Sequence, residues 1–275
     1  MRAFILPILA AIVTLSAQAA QAAQPAAVDC YALLSLEKFK PGPARELVIL
    51  IDETTVFSPD LINTFAAKVA KTVQPGDRVS LIGFSAVSNK HHVHELASVD
   101  VDRMPEPAIE RDLPVRRAGD LSQCVTLQKV TKARLMDTAV RAALGRASTA
   151  IPFSEIVGAF RDIGGRLKAS EAKTRVVIVA TDGLQHSATL TFYDHKAIRL
   201  LDADKEANSL RARGLLSDLA GARVYVFGGG LAPPDAGFRD QSELVALEAF
   251  WRRYIKDSGG ELVAFGKPVP LVEFR

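Results

Sequence analysis

Two carboxylates stand at matching places in distant parts of this chain. Asp52 ends the run LVILID, and Asp182 follows RVVIVAT. Each run is short, rich in β-branched residues and free of polar interruption, the pattern of a strand buried on both faces. Each delivers an acid, with hydroxyls beside it (Thr54, Thr55), into the loop that follows. In an open parallel sheet, ligands bind outside the carboxyl ends of the strands, where the strand order reverses. If the two strands are neighbours, Asp52, Thr54 and Asp182 converge on one crevice. Oxygen donors gathered in that way suit a hard cation such as Mg²⁺.

The elements that must position these groups alternate. Strands are expected at Glu46–Ile51, Arg78–Phe84, Val93–Val101, Thr174–Thr181, Arg223–Phe227 and Glu261–Phe265. The first helix follows Ser58 as N-cap, with Pro59 at its first position and Leu61, Phe65, Val69 and Val73 on one stripe. Further helices are expected at Leu135–Leu144, Ser154–Lys168, Ala207–Leu219 and Glu243–Lys256. Alternation of this kind implies an α/β fold, a doubly wound, mostly parallel sheet with helices on both faces. Residues 103–147 break the rhythm. Three prolines fall in MPEPAIERDLPVRR, and the segment reads as an insertion.

Bulk properties narrow the function classes. The 275 residues are 48% hydrophobic and 24% charged with a formal charge of +3, an ordinary globular composition. Arg116–Arg117 and Arg252–Arg253 are only doublets, and no basic tract interleaved with aromatics suggests nucleic acid. Arg2, the apolar run Ala3–Leu15 and the small-residue sites Ala17-Gln18-Ala19 and Ala20-Gln21-Ala22 have the organisation of a signal peptide over 1–23. The expectation is export to the periplasm or beyond, with a mature chain beginning near Ala20–Gln24 and an approach segment over 24–45. Retention of the leader as an anchor is the one route to a membrane. In an oxidising compartment the pair Cys30 and Cys124 permits a single bridge closing a 94-residue loop, worth about 4–5 kcal/mol in the chain-entropy treatment.

The stretch Glu46–Ser85, with a strand ending in Asp52, a helix and then QPGDRVSLIGFS, resembles the opening of the von Willebrand factor A domain family. ATDG at Ala180–Gly183 is similar to that family's second signature, and RVYVFGGG, a helix, Gly259-Gly260 and a last strand follow its closing order. The resemblance covers 46–265, within a domain taken as 46–275. It implies a metal-ion-dependent adhesion site with Asp52, Thr54, Thr149 and Asp182 as ligands to Mg²⁺ or Mn²⁺. Glu53, Thr55 and Ser58 would form the rim, and a protein partner's carboxylate would complete the coordination. Val56 departs from the pattern, since it stands where a second serine would ligate. Water, Thr55 or Ser58 would have to replace that hydroxyl.

The function implied is therefore a partner-binding module rather than an enzyme. A metal-free scaffold in a cell-envelope assembly is the alternative, with Asp52 and Asp182 ordering loops by accepting backbone N–H bonds. An α/β hydrolase-type enzyme acting at the same crevice is a second alternative with less support. Gly83-Phe84-Ser85-Ala86-Val87 lacks the last glycine of a nucleophile elbow. Asp52-Glu53-Thr54 lacks the second aspartate of a phosphatase motif, and Gly228-Gly229-Gly230 lacks dinucleotide-loop spacing. His91, His92, His94, His186 and His195 are expected on polar edges and loops rather than around a transition metal.

Overall fold

A computed structural model describes residues 28–85, 93–194, 197–232 and 240–275. In chain order the main elements are α1 (Cys30–Leu33), β1 (Arg45–Asp52), α2 (Pro59–Thr72), β2 (Asp77–Phe84), β3 (Val93–Asp100), α3 (Pro107–Glu110) and α4 (Val115–Leu144). They continue with α5 (Ile156–Ala169), β4 (Thr174–Ala180), the short hairpin strands β5 (Tyr193–Asp194) and β6 (Ala197–Ile198), α6 (Ala203–Ala212), β7 (Arg223–Phe227), α7 (Gln241–Asp257) and β8 (Glu261–Phe265). Six strands form one sheet in the order β3-β2-β1-β4-β7-β8, all parallel except edge strand β3, which runs antiparallel to β2.

The order reverses at β1. Connections from β1 lead through β2 to one edge, and those from β4 lead through β7 to the other. The carboxyl end of the β1/β4 pair is thus the topological switch point. Register sets Ile51 opposite Ala180 and Asp52 opposite Phe84, so Asp52 and the residues following Ala180 leave the sheet side by side.

The apolar runs divide by alternation. Val48, Leu50, Val177, Val179, Val224 and Val226 face α5 and α7, packing on Phe160, Ile163, Phe250, Trp251 and Tyr254. Leu47, Ile49, Ile51, Val176, Ile178 and Ala180 face α2 and α4, packing on Phe65, Val69, Met136 and Val140. Every β1 residue from Glu46 to Asp52 is buried, as a central strand between two helix layers requires. Ser58 caps α2 as expected, its hydroxyl accepting from Leu61 N, with Pro59 at the first position.

Two segments depart from the sequence expectations. The region expected to be an irregular insertion ending in a helix at 135–144 is largely one 30-residue helix, α4, begun by Pro114 at its N-cap. Its amino-terminal half pairs with a distant partner. Leu113, Leu121 and Val125 bury against Cys30, Tyr31 and Leu36, so no nearby element reveals which face is apolar. The helix expected at Ala207–Leu219 instead spans Ala203–Ala212. Gly214, at φ +67°, terminates it, with Leu215 N returning to Leu210 O at 2.9 Å.

The approach segment is docked. Cys30 and Cys124 form the disulfide, with Cα atoms 5.8 Å apart. Asp102 accepts from Cys30 N at 2.8 Å and from Gln128 Nε2 at 2.7 Å, and Tyr31 Oη donates to Arg103 O at 2.6 Å. Burial pushes the Tyr31 phenol up to about 12. Among the described residues no helix is long and apolar enough to cross a membrane, and the expected leader lies outside them.

Candidate functional site

The floor of the switch-point crevice is the carboxylate of Asp52, which has no exposed surface. Its Oδ1 accepts from Thr54 N at 3.0 Å and Thr54 Oγ1 at 2.6 Å, an aspartate turn that bends the chain off β1. Its Oδ2 accepts from Ser154 Oγ at 2.9 Å and Thr181 Oγ1 at 2.7 Å. Three chain segments therefore converge on one buried acid. Burial raises the carboxyl above the ordinary carboxylate range, opposed by the donors from Thr54, Thr181 and Ser154.

The second acid stands higher. Asp182 is half-buried, its Oδ1 accepts from Leu184 N at 2.8 Å, and its own N–H donates to Thr55 Oγ1 at 3.2 Å. Asp182 O accepts from Gly230 N at 2.8 Å, which ties the loop after β7 to the loop after β4. That approach needs glycine. A Cβ on Gly228, at φ +95°, would lie 2.6 Å from the Phe57 ring and 2.8 Å from Thr181 O. The triple glycine is thus a close-packed turn.

The expected site residues separate. Asp52, Thr54 and Thr55 gather at the floor with Asp182 above them. Thr55 is buried and engaged with the Asp182 backbone, and Ser58 is exposed and committed to capping α2, so neither stands in for the hydroxyl missing at Val56. Glu53 lies beside His94, with Nε2 to Oε1 at 3.3 Å. Thr149 is exposed on the loop before α5, while the hydroxyl that reaches Asp52 belongs to Ser154. That loop is anchored by Ser148 N donating to Glu53 O at 2.8 Å.

Ser154 and Thr181 were not singled out by sequence. Ser154 lies at the start of an expected helix, where a hydroxyl reads as a cap, and Thr181 reads as the last residue of a strand. The structure adds a supporting layer. Gln185, fully buried, accepts from Val157 N at 3.0 Å and donates to Glu155 Oε1 at 2.9 Å, locking the loop after β4 to the start of α5. His91, His92 and His195 lie outside the described residues. His186 Nδ1 is engaged with Thr191 Oγ1 at 2.8 Å. Among the described residues no group of three or more His, Cys, Asp or Glu could hold a metal.

An oxygen-only set of mixed type fits a hard cation better. Thr54 and Ser154 give their hydroxyl protons to Asp52, which leaves lone pairs on both oxygens, and Asp182 supplies a carboxylate. Mg²⁺ keeps several waters and needs few protein donors.

The strand order, the antiparallel edge and the meeting of the Asp52 and Asp182 loops at the switch point agree with the fold implied by the sequence motifs. The fold is a doubly wound, mostly parallel α/β sheet. No family model and no curated protein matches the chain. Solved structures similar to this chain include an aerotolerance-related membrane protein from Bacteroides fragilis, at 14% identity and TM-score 0.38, covering 81% of this chain and 92% of that one. BatB, a conserved hypothetical protein from Bacteroides thetaiotaomicron, is similar at 16% identity and TM-score 0.37, covering 80% and 89%. The vWF domain of the type V pili tip protein Mfa5 from Porphyromonas gingivalis is similar at 13% identity and TM-score 0.30, covering 53% of this chain and 40% of that one. Likenesses this distant carry no information about activity.

Away from the crevice, among the described residues, an apolar groove of about 560 Å³ lies between α1 and α4, lined by Leu33, Leu34, Leu127 and Leu135 among others.

Proposed function

We propose that this chain is an exported protein-binding module that takes its partner at the switch-point crevice, through a divalent cation held by Thr54, Ser154 and Asp182. The observation that supports this reading is the buried Asp52 carboxylate, which collects hydroxyl protons from Thr54, Ser154 and Thr181. An acid used in this way orients oxygen lone pairs. It is a poor nucleophile or base, being fully buried and already accepting from four donors. That chemistry supports binding rather than catalysis. Asp52 acts as the positioning group, and Ser154 takes the ligand role that the motif resemblance assigned to Thr149.

A metal-free scaffold is the second reading, favoured by Val56 in place of a ligating hydroxyl. A thermal melt separates the two. Cation binding confined to the folded state stabilises by about 2.7 kcal/mol at a hundredfold excess over Kd, or roughly 5–10 °C for a domain of this size. The oxidised protein should show such a rise on changing from EDTA to saturating Mg²⁺ or Mn²⁺, and Asp182→Ala should abolish it. A wild-type melt that neither cation moves would leave the scaffold reading in place.

A further inference from the structure

The apolar groove between α1 and α4 stands toward the opposite end of the sheet from the crevice. Lys132 on its wall donates to Asp100 O, and Asp100 pairs with Arg78 at the start of β2. Asp52, by contrast, pairs with Phe84 at the end of that strand. The disulfide ties the two walls of the groove together, since Cys30 opens α1 and Cys124 lines the groove from α4.

Large aliphatic side chains are exposed around it. Val28 and Leu33 on one wall are 54% and 65% exposed, and Leu127 on the other is 61% exposed. Val130, about one turn further along α4, is 45% exposed. Apolar surface gathered in this way marks an interaction site.

Charge decides what covers it. Helix α4 carries six Lys or Arg against two Asp, in a chain whose formal charge is only +3. Arg116 lies eleven residues before Leu127 and Arg134 seven after it. At about 100° per residue, both project within about 20° of Leu127 around the helix. Both are exposed, and among the described residues neither makes an ion pair or a side-chain hydrogen bond. Arg45, Arg166 and Arg199 elsewhere are paired with carboxylates. Aliphatic side chains set between unpaired guanidinium groups on one helix face suit shallow insertion beneath phosphate headgroups. The path of the chain agrees. Val28, on the groove wall, comes thirteen residues after the apolar run Ala3–Leu15. Thirteen residues reach at most about 45 Å, so a bilayer that holds this run during export is within reach of the groove.

We propose that the α1/α4 face is a docking surface for an anionic phospholipid bilayer. Leu33, Leu127 and Val130 would enter among the acyl chains while Arg116 and Arg134 hold headgroup phosphates. Docking there leaves the crevice uncovered, and the proposal is independent of what the crevice holds.

The test sediments the oxidised full-length chain with vesicles of phosphatidylcholine alone or mixed one to one with phosphatidylglycerol. The mixed vesicles should bind at least about tenfold more tightly, by a margin that shrinks as salt is raised. Arg116→Gln combined with Arg134→Gln should weaken binding to the mixed vesicles by about tenfold or more. Leu127→Ser combined with Val130→Ser should weaken it by a similar factor. All four positions are exposed, so melting temperatures should stay near wild type. Leu127→Trp gives a local reading that the leader does not supply. Emission of the introduced indole should shift to the blue on mixed vesicles and be quenched by lipids brominated along the acyl chain, while the buried Trp251 is unaffected. Equal binding to both vesicles, or an introduced indole that neither shifts nor is quenched, overturns the proposal. Capture of polyglutamate without binding to either vesicle assigns the face to an acidic protein and overturns it as well.

Discussion

Ser154 donates its hydroxyl proton to Asp52 at 2.9 Å across a separation of 102 residues, and both side chains are buried. This contact closes the crevice floor, because it pins the start of α5 to the end of β1. Without it, Asp52 would lose one of the donors that offset its desolvation.

Ser154→Ala is therefore expected to destabilise the fold by about 1–3 kcal/mol, the cost of leaving a buried acceptor short of a donor. Thr149→Ala, at an exposed position, should stay within about 0.5 kcal/mol of wild type. Urea unfolding of both variants checks this. A larger loss at Thr149 than at Ser154 would mean the wrong hydroxyl has been assigned to the floor.

Asp52 also sets a pH dependence. Burial raises its carboxyl, so the folded state holds the proton more tightly than the unfolded chain. The stability contributed by this group is then highest in acid and declines as pH rises from the ordinary carboxylate range through the folded value. Asp52→Asn removes that slope. Urea midpoints between about pH 4 and about pH 8 should show wild type losing ground to the variant as pH increases. Parallel curves would assign the carboxyl an unshifted, solvent-like setting.

Opening the disulfide should cost about 2–5 kcal/mol, since it releases a long loop in the unfolded chain. The bridge spans 94 residues and lies within the contacts of Cys30, Tyr31 and Asp102. Paired serine substitutions at Cys30 and Cys124 and reduction of the native protein should produce the same shift in the urea midpoint. Unequal shifts would show that the reductant acts elsewhere.

Glycine position decides the sign of a fourth effect. Gly228→Ala places a methyl 2.6 Å from Phe57 at φ +95° and should cost at least about 2 kcal/mol. Gly119→Ala, in α4 with open space around it, should stabilise by about 0.5–1 kcal/mol. Melting temperatures moving in the same direction would contradict the packing described for the β7 turn.

Much of the fold was legible in the order of residues. Uninterrupted runs such as Leu47–Ile51 and Val176–Ala180 can be satisfied only between two helix layers, and turn signals such as Pro75-Gly76-Asp77 separate the elements. The α4 helix was less legible because Leu121 and Val125 are covered by Tyr31 and Leu36, far back in the chain. Two glycines with positive φ, Gly214 and Gly221, could each stop α6. Which one does so depends on the backbone bond from Leu215 to Leu210.

At the crevice the division follows the range of the forces. Asp52, Thr54 and Asp182 were identifiable from sequence, since a strand's hydrophobic pattern and the residues at its end are local properties. The switch point itself, with β4 beside β1, is a matter of strand order and belongs to tertiary structure. So does the choice of Ser154 over Thr149. Both are hydroxyls in the same loop region, and only the path of the chain from Ser148 to α5 determines which one reaches a carboxylate more than a hundred residues away. Hydrophobic periodicity carries information over a few residues. A buried hydrogen bond between distant segments exists only after the sheet has placed them side by side.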